Sequence, residues 1–284
     1  MSAVTRTNVG YERLCEEHAS PFCRYIDFPQ LAEWMRNNLH IPVLISLAYV
    51  VVIFALKRFM RDRKPYSLRT ALILWNAFLA LYSLISAVVV MPVLLSEVWE
   101  LGFVGELCSV STERYLAPWV LMFCLSKIPE LVDTLFIVLR KRPLIFLHWY
   151  HHLATLIFCW EACALNVSTG VWFAGMNLTV HSIMYSYYCL TAMGYRFSQP
   201  LRLSITSLQI SQMVMGLIII VSQLSFCSEF HERNTYFGLA MYLSYFVLFA
   251  KLFVENVRGG HPGARAGQAA AGKKDQPSKT IKEE

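Results

Sequence analysis

Seven long apolar stretches restrict what this chain can fold into more than any other feature. They run roughly from Ile41 to Leu56, Thr70 to Leu95, Leu116 to Leu139, Leu144 to Leu165, Val171 to Met193, Leu203 to Phe226 and Thr235 to Glu255. A bilayer core of about 30 Å is crossed by about 20 apolar residues in helix. The first stretch is the shortest, with room to begin before His40. Open strands would leave backbone N–H and C=O groups unpaired in lipid, so each stretch reads as a helix. Composition agrees: of 284 residues 56% are apolar and only 15% charged, against roughly 25% charged in an average soluble domain. The mean hydropathy is +0.45. A soluble enzyme, a secreted disulfide mini-domain and a disordered chain are excluded. The first 30 residues carry no charged-then-apolar cleavable signal, so the first span is expected to serve as the targeting signal and stay in place. The linkers are short, so neighbouring helices should run antiparallel. No internal repeat is seen, and hence no inverted-repeat transporter signature.

Basic residues orient the spans. One side receives Lys57 to Arg69, Arg140–Lys141–Arg142, Arg196, Arg202 and the tail, seventeen basic residues in all, while the other receives six. The net charge of +6 is therefore read as topology and not as nucleic-acid binding. The N-terminus should face the lumen or exterior and the C-terminus the cytosol. Three regions follow: a lumenal N-terminal segment (1–39), a seven-helix membrane domain (40–256) and a basic, disordered cytosolic tail (257–284), too poor in apolar residues to bury a core.

None of the eight cysteines falls in a CxxC pair, which argues against a zinc site. Cys124, Cys159, Cys163 and Cys189 lie within spans, where the plain reading is small packing residues. Cys108 and Cys227 both fall in lumenal loops. An oxidising lumen permits a bond between them; the alternative is two free thiols. Asn166-Val-Ser168 is a glycosylation sequon in a lumenal loop. Asn177-Leu-Thr179 also matches, but inside a span, where it should be silent.

Ionisable residues inside a membrane are costly and usually functional. Away from the span ends they are Lys127, Glu130, Asp133, His148, His151, His152, His181 and Lys251. His148, His151 and His152 form HxxHH and share an arc of about 100° on one helix. Lys127, Glu130, Asp133 and Thr134 form KxxExxDT on the preceding span, where Pro129 interrupts the hydrogen-bond ladder. Asn177 and His181 stack one turn apart on the fifth span, with Tyr185 and Tyr188 continuing the stripe. Thr206, Gln209 and Gln212 step by three on the sixth. Four helices thus each present a polar stripe. The expected fold is an all-α membrane protein, with seven transmembrane helices around a central cavity open to the cytosol. The tyrosines, Thr206 and the glutamines could equally be interhelical hydrogen-bond glue, and Lys127 with Glu130 an inert ion pair. Three histidines on one face at membrane depth are harder to read as inert.

HxxHH invites a di-iron reading, as in membrane desaturases and hydroxylases. Two irons need about eight histidine ligands, and only four histidines lie at membrane depth. No metal is expected on that count, although a single zinc stays open. Without metal, an imidazole cluster suits proton transfer or nucleophilic acyl transfer. Arg140, Lys141, Arg142, Arg196, Arg202 and Arg258 ring the mouth and would attract a polyanionic group; positive-inside bias alone would also put basic residues there. An apolar tunnel below them suits a fatty chain on a phosphate-bearing carrier.

At these residues the chain resembles the very-long-chain fatty acid elongases, the 3-oxoacyl-CoA synthases of the endoplasmic reticulum. The resemblance runs from Leu74-Trp75-Asn76 to Tyr242-Leu243-Ser244-Tyr245. It includes KIPELVDT (Lys127–Thr134), LHWYHH (Leu147–His152), MNLTVHSIMYSYY (Met176–Tyr188) and TSLQISQ (Thr206–Gln212). Four ordered motifs are specific where HxxHH alone is weak. The resemblance implies a multi-pass enzyme of the endoplasmic reticulum membrane with seven helices and a site reached from the cytosol. The implied reaction condenses a long-chain acyl-CoA with malonyl-CoA, releasing carbon dioxide and free CoA. No cofactor is implied beyond these substrates, and reductase and dehydratase partners would complete the cycle. The family's histidines carry over onto His148, His151, His152 and His181. In the expected mechanism His151 holds the acyl group as acyl-imidazole. His181 and Asn177 orient the thioester or stabilise its oxyanion, and His148 and His152 position His151 or move protons. Substrate contacts are expected from Lys127, Glu130, Asp133, Tyr185, Tyr188, Gln209, Gln212, Arg140, Arg142 and Arg202. The tail departs from a dilysine retrieval signal: Lys282 stands third from the end, but Ile281 and Thr280 are not basic. A metal-dependent membrane oxidase is the second reading, and a seven-helix receptor or transporter the third.

Overall fold

The computed structural model describes residues 28–109, 111–227 and 231–258, with the side chains of 28–29 and 111–115 left aside. Most of the expected N-terminal segment and of the basic tail lies outside the described residues. Among the described residues every regular element is helical. In chain order they are α1 (Phe28–Asn37), α2 (His40–Phe59), α3 (Arg69–Leu107), α4 (Ser111–Ser126), a 3₁₀ turn (Pro129–Leu131), α5 (Val132–Leu139), α6 (Phe146–Leu165), α7 (Gly170–Met193), α8 (Gln199–Phe226) and α9 (Glu232–Val257). Four of them, α2, α3, α8 and α9, are long and apolar enough to cross a membrane by length and composition. The helices carrying the histidines, α6 and α7, are also long, at 20 and 24 residues.

Local sequence explains most boundaries. Pro129 lacks the N–H that would continue α4, so the third apolar stretch breaks into α4, the 3₁₀ turn and α5. The Ser126 hydroxyl takes up the freed Phe123 carbonyl at 2.8 Å. α6 ends at Asn166 (φ 50°) and α7 at Gly194 (φ 105°), residues that tolerate the left-handed conformation in which helices commonly close. α3 is longer than expected, running 39 residues to Leu107. At Gly102 its backbone turns to φ 74°, ψ 163°, which redirects the last turn inward.

That redirection places Cys108 beside Cys227, and the two are joined in a disulfide with Cα atoms 5.3 Å apart. The Trp172 indole N–H at the start of α7 donates to Glu106. At the same end Glu161 of α6 pairs with Arg233 and accepts from Asn234 at 3.1 Å, tying α9 to α6. α1 docks there too: the Trp160 indole donates to the Met35 carbonyl and the Arg36 guanidinium to the Ala164 carbonyl, both at 3.1 Å.

The opposite end collects the basic linkers. Lys141 donates to the Arg61 and Arg63 carbonyls at 2.9 and 3.0 Å. Arg69 caps the end of α7 through the Ala192 and Met193 carbonyls at 3.0 and 2.5 Å. Between the two ends, α3 lies along α7 and α8 along α9, while α6 is enclosed by α1, α2, α4 and α9. α6 and α7 touch only sparingly, and α4 packs against both.

Candidate active site

The polar groups of four elements meet where α4 breaks. Because the helix stops at Ser126, Lys127 and Glu130 turn inward instead of following the helical surface. Both are 4% exposed. The Lys127 Nζ donates to both Glu130 carboxylate oxygens, at 2.8 and 3.0 Å, and to Asn177 Oδ1 at 3.0 Å. It also lies 4.2 Å above the Phe123 ring. Ser126 Oγ lies 2.9 Å from Glu130 Oε1, so its single O–H is shared between this carboxylate and the Phe123 carbonyl. On α7 the Asn177 amide nitrogen is 3.2 Å from His181 Nε2, and His181 Nδ1 lies 4.0 Å from Glu130 Oε2. Lys127, Glu130, Asn177 and His181 therefore form one buried network linking the break to α7.

A second network begins one turn further on. Asp133 accepts from the Trp75 indole at one oxygen and from the Tyr185 hydroxyl at the other, both at 2.6 Å. Thr134 bridges the Tyr49 hydroxyl (2.7 Å) and His148 Nε2 (2.9 Å). Asp133 thus joins α3 to α7, and Thr134 joins α2 to α6.

The three α6 histidines share a face but not surroundings. The His148 and His152 rings are 4.6 Å apart, and those of His151 and His152 are 5.7 Å apart. His151 turns toward α9, with its ring 4.8 Å from that of Tyr245. The Tyr245 hydroxyl donates to the His151 carbonyl at 3.0 Å and meets Thr155 Oγ1 at 2.9 Å. The His151 Nδ1 is buried and has no hydrogen-bond partner among the described residues. Among them, no group of three or more His, Cys, Asp and Glu side chains is disposed to hold a metal ion.

Some expected site residues stand elsewhere. Tyr188 is 44% exposed, because three residues beyond Tyr185 is about 60° short of a full turn; its ring meets that of Tyr185 edge-on and that of Tyr187 at a tilt. On α8, Thr206 satisfies its hydroxyl on the Arg202 carbonyl at 3.2 Å, and Gln209 reaches Met184 Sδ at 3.3 Å. Gln212 is buried beside Tyr242. This stripe seams α7, α8 and α9 together and does not reach the histidines through any of these bonds. Arg140 and Arg142 line a hollow with Arg69 and Tyr66 at the basic end, and Arg142 shares a second with Lys57, Arg58 and Arg61. Desolvation, and then the charge of Arg142, pull the Arg140 guanidinium below its ordinary value. Such a site gains from an anionic occupant. Arg202 is exposed on α8 and lines neither hollow. Asn166 is exposed at the other end, where its left-handed backbone already gives the residue a structural reason.

Sequence reasoning gave no site role to Tyr49, Trp75, Ser126 or Tyr245, because nothing beside them in the chain marks the helix each one faces. For Tyr245 a signal existed: Tyr242, Tyr245 and Phe249 follow helical spacing on one face of α9.

The model of the ELO: GNS1/SUR4 family matches residues 34–261. The very long chain fatty acid elongase 6 of Drosophila melanogaster is 40% identical over 251 residues, covering 84% of this chain and 79% of its own length. That of Gallus gallus is 37% identical over 273 residues, covering 93% and 98%. That of Homo sapiens is 39% identical over 233 residues, covering 78% and 86%.

Proposed function

The chain belongs to the ELO: GNS1/SUR4 family, and we propose that it acts there as the condensing enzyme of fatty acid elongation, joining a long-chain acyl-CoA to malonyl-CoA. Its named relatives are fatty acid elongases, which supports the reaction class. The observation that carries the chemistry is the unpartnered Nδ1 of His151. A buried polar atom left unsatisfied costs about 1–3 kcal/mol, so its retention calls for a reason. His148 and His181 are occupied by Thr134 and Asn177, whereas His151 keeps a ring nitrogen for a ligand.

In the first half-reaction a neutral ring nitrogen of His151 bonds to the thioester carbonyl carbon, the C–S bond breaks, and CoA leaves as thiolate and takes up a proton. The acyl-imidazole remains a good acyl donor. In the second, malonyl-CoA loses carbon dioxide, and the electron pair left on its second carbon bonds to the acyl carbon. The C–N bond breaks, the released ring nitrogen takes up a proton from solvent in place of the one given to the CoA thiolate, and neutral His151 is restored with a 3-oxoacyl-CoA two carbons longer. Asn177 and His181 stabilise the oxyanion, while Lys127, fixed by Glu130, keeps the Asn177 amide aimed at His181. His148 and His152 hold the α6 face and move protons. Both substrates supply every group consumed, so no cofactor is invoked. The 3-oxo product then requires a reductase and a dehydratase.

We place seven crossings in the bilayer: α2, α3, α4 with the 3₁₀ turn and α5, α6, α7, α8 and α9. The basic end faces the cytosol and gathers the CoA phosphates at Arg140 and Arg142, and the disulfide end faces the lumen of the endoplasmic reticulum. The test is intact-protein mass spectrometry after mixing with acyl-CoA alone, beside malonyl-CoA turnover. The unaltered protein should gain one acyl mass and show ping-pong kinetics. A His151→Ala protein that still accumulates the full adduct would remove His151 as nucleophile, and sequential kinetics without adduct would favour acid–base catalysis in a ternary complex.

A further inference from the structure

α2 stands at the edge of the helical assembly. It packs chiefly against α5 and α6, and the side turned away from them is exposed. At its basic end α2 and the α5–α6 loop part to leave an open hollow of about 560 Å³. Lys57, Arg58, Arg61, Lys141 and Arg142 line it, and the buried Met60 and Val138 form its inner wall. Two of the five cations already have a task. Lys141, in a left-handed conformation (φ 53°), donates to the Arg61 and Arg63 carbonyls and so ties the two walls together. Arg142 also opens on the neighbouring hollow that it shares with Arg140. Lys57, Arg58 and Arg61 are exposed and have no carboxylate within ion-pair distance among the described residues. Positive-inside bias puts basic residues at this end. It does not gather three unpaired ones around one hollow with an apolar inner wall.

The exposed side of α2 continues the hollow. Leu44, Leu47, Val51 and Phe54 step by three, four and three, which keeps them on the side of the helix that carries Arg58. All four are exposed, Val51 at 68%. From Leu44 to Phe54 the helix rises about 15 Å, half of a bilayer core of about 30 Å and thus the depth of one leaflet. Where this stripe meets the hollow, the Trp149 ring lies 5.8 Å from that of Phe54 and 5.1 Å from that of Phe146, both edge-on. Aromatic rings collect where hydrocarbon gives way to headgroups. Resting on the orientation proposed above, with the basic end in the cytosol, we propose that the hollow binds an anionic phospholipid of the cytosolic leaflet. Its headgroup phosphate meets Lys57, Arg58 and Arg61, and an acyl chain lies along Phe54, Val51, Leu47 and Leu44. A phosphomonoester suits the hollow best, since it carries about two negative charges and three terminal oxygens, and basic pockets between membrane helices take such headgroups.

The test is native mass spectrometry of the full-length protein in neutral detergent, titrated with phosphatidylcholine, phosphatidylserine or phosphatidylinositol 4-phosphate. The last should be retained about tenfold or more tightly than the other two. Each basic residue contributes about fivefold to binding an anionic lipid, so Lys57→Gln/Arg58→Gln/Arg61→Gln should weaken retention about a hundredfold. A control of equal charge, Arg196→Gln/Lys251→Gln/Arg258→Gln, removes three exposed cations elsewhere at the same end and should change it less than about twofold. Free CoA and inositol phosphate, which offer phosphates without acyl chains, should leave the lipid bound. In the unaltered protein, a phosphatidylinositol 4-phosphate with a diazirine in its acyl chain should label α2 between Leu44 and Phe54. Equal retention of all three lipids overturns the proposal, as does a control that loses as much as the hollow variant. Displacement by free CoA overturns it too, because the hollow then belongs to the substrate, and so does labelling confined to other helices. Binding is read without turnover: a protein that consumes no malonyl-CoA sinks the elongation reading and leaves the lipid titration to decide the site.

Discussion

Replacing Lys127 by Met tests whether the network at the α4 break is held by charge. Methionine keeps an unbranched chain of similar length but removes three donors, two to Glu130 and one to Asn177. Glu130, 4% exposed, would keep only the Ser126 hydroxyl at 2.9 Å and His181 Nδ1 at 4.0 Å. Breaking a buried pair by removing one partner costs about 3–5 kcal/mol, because the other charge is left uncompensated. Replacing both partners by apolar residues is close to neutral, since both desolvation penalties disappear. Lys127→Met should therefore lose about 3–5 kcal/mol in an unfolding titration in mixed micelles, followed by reaction of the buried free cysteines. Lys127→Met/Glu130→Leu should recover most of that loss. Turnover should not follow stability, because the double variant still lacks the donor that fixes Asn177 against His181. A Lys127→Met protein within about 0.5 kcal/mol of the parent would refute the reasoning. So would a double variant no more stable than the sum of its two single changes.

Four further outcomes are expected. Asp133→Ala should cost about 2–4 kcal/mol in the same titration, since it strands the Trp75 and Tyr185 donors together. Gly216→Ala should destabilise by about 1–3 kcal/mol despite the helix propensity it gains, because the new Cβ would enter the space of the Tyr242 ring; thermal unfolding should show partial recovery with Tyr242→Leu added. Cys108→Ser should abolish a mobility difference between reducing and non-reducing gels and cost about 2–5 kcal/mol, since the bond closes a separation of 119 residues. Ser168→Ala should remove glycosidase sensitivity with stability unchanged, because it destroys the sequon but spares the left-handed Asn166 that ends α6.

What the sequence made legible was whatever follows a period. The seven apolar stretches became the cores of α2 to α9, and the HxxHH spacing placed His148, His151 and His152 on one face of α6. Pro129 announced its own break, because a missing N–H is a local fact. Contacts that depend on which helix stands opposite were not legible. Tyr49 reaches Thr134 across 85 positions and Trp75 reaches Asp133 across 58; nothing near either residue marks its partner. Tyr188 stands exposed because a stripe stepping by three drifts off a helix with 3.6 residues per turn. Thr206 and Gln209 follow the same step and serve their own helix or Met184. The Gly102 turn was missed because glycine in an apolar run signals permission, not use.

A division of labour among the helices explains how a site this polar is held inside so apolar a chain. α2 and α9, among the helices apolar enough to cross alone, bury only 22% of their most apolar stretch. α6 carries three histidines and Glu161 and has 11 of its 20 residues buried. A helix with that many ionisable groups gains little from lipid and must find partners in protein. α6 obtains them from Thr134, Asn234 and Arg233, and α7 from Lys127 and Asp133. The interhelical bonds that satisfy the polar groups of these two helices also fix the imidazoles. Fold and chemistry therefore draw on the same contacts. Substitutions at Lys127, Asp133 or Thr134 should consequently lower stability and turnover together, whereas apolar-for-apolar changes confined to the exposed sides of α2 and α9 should alter neither.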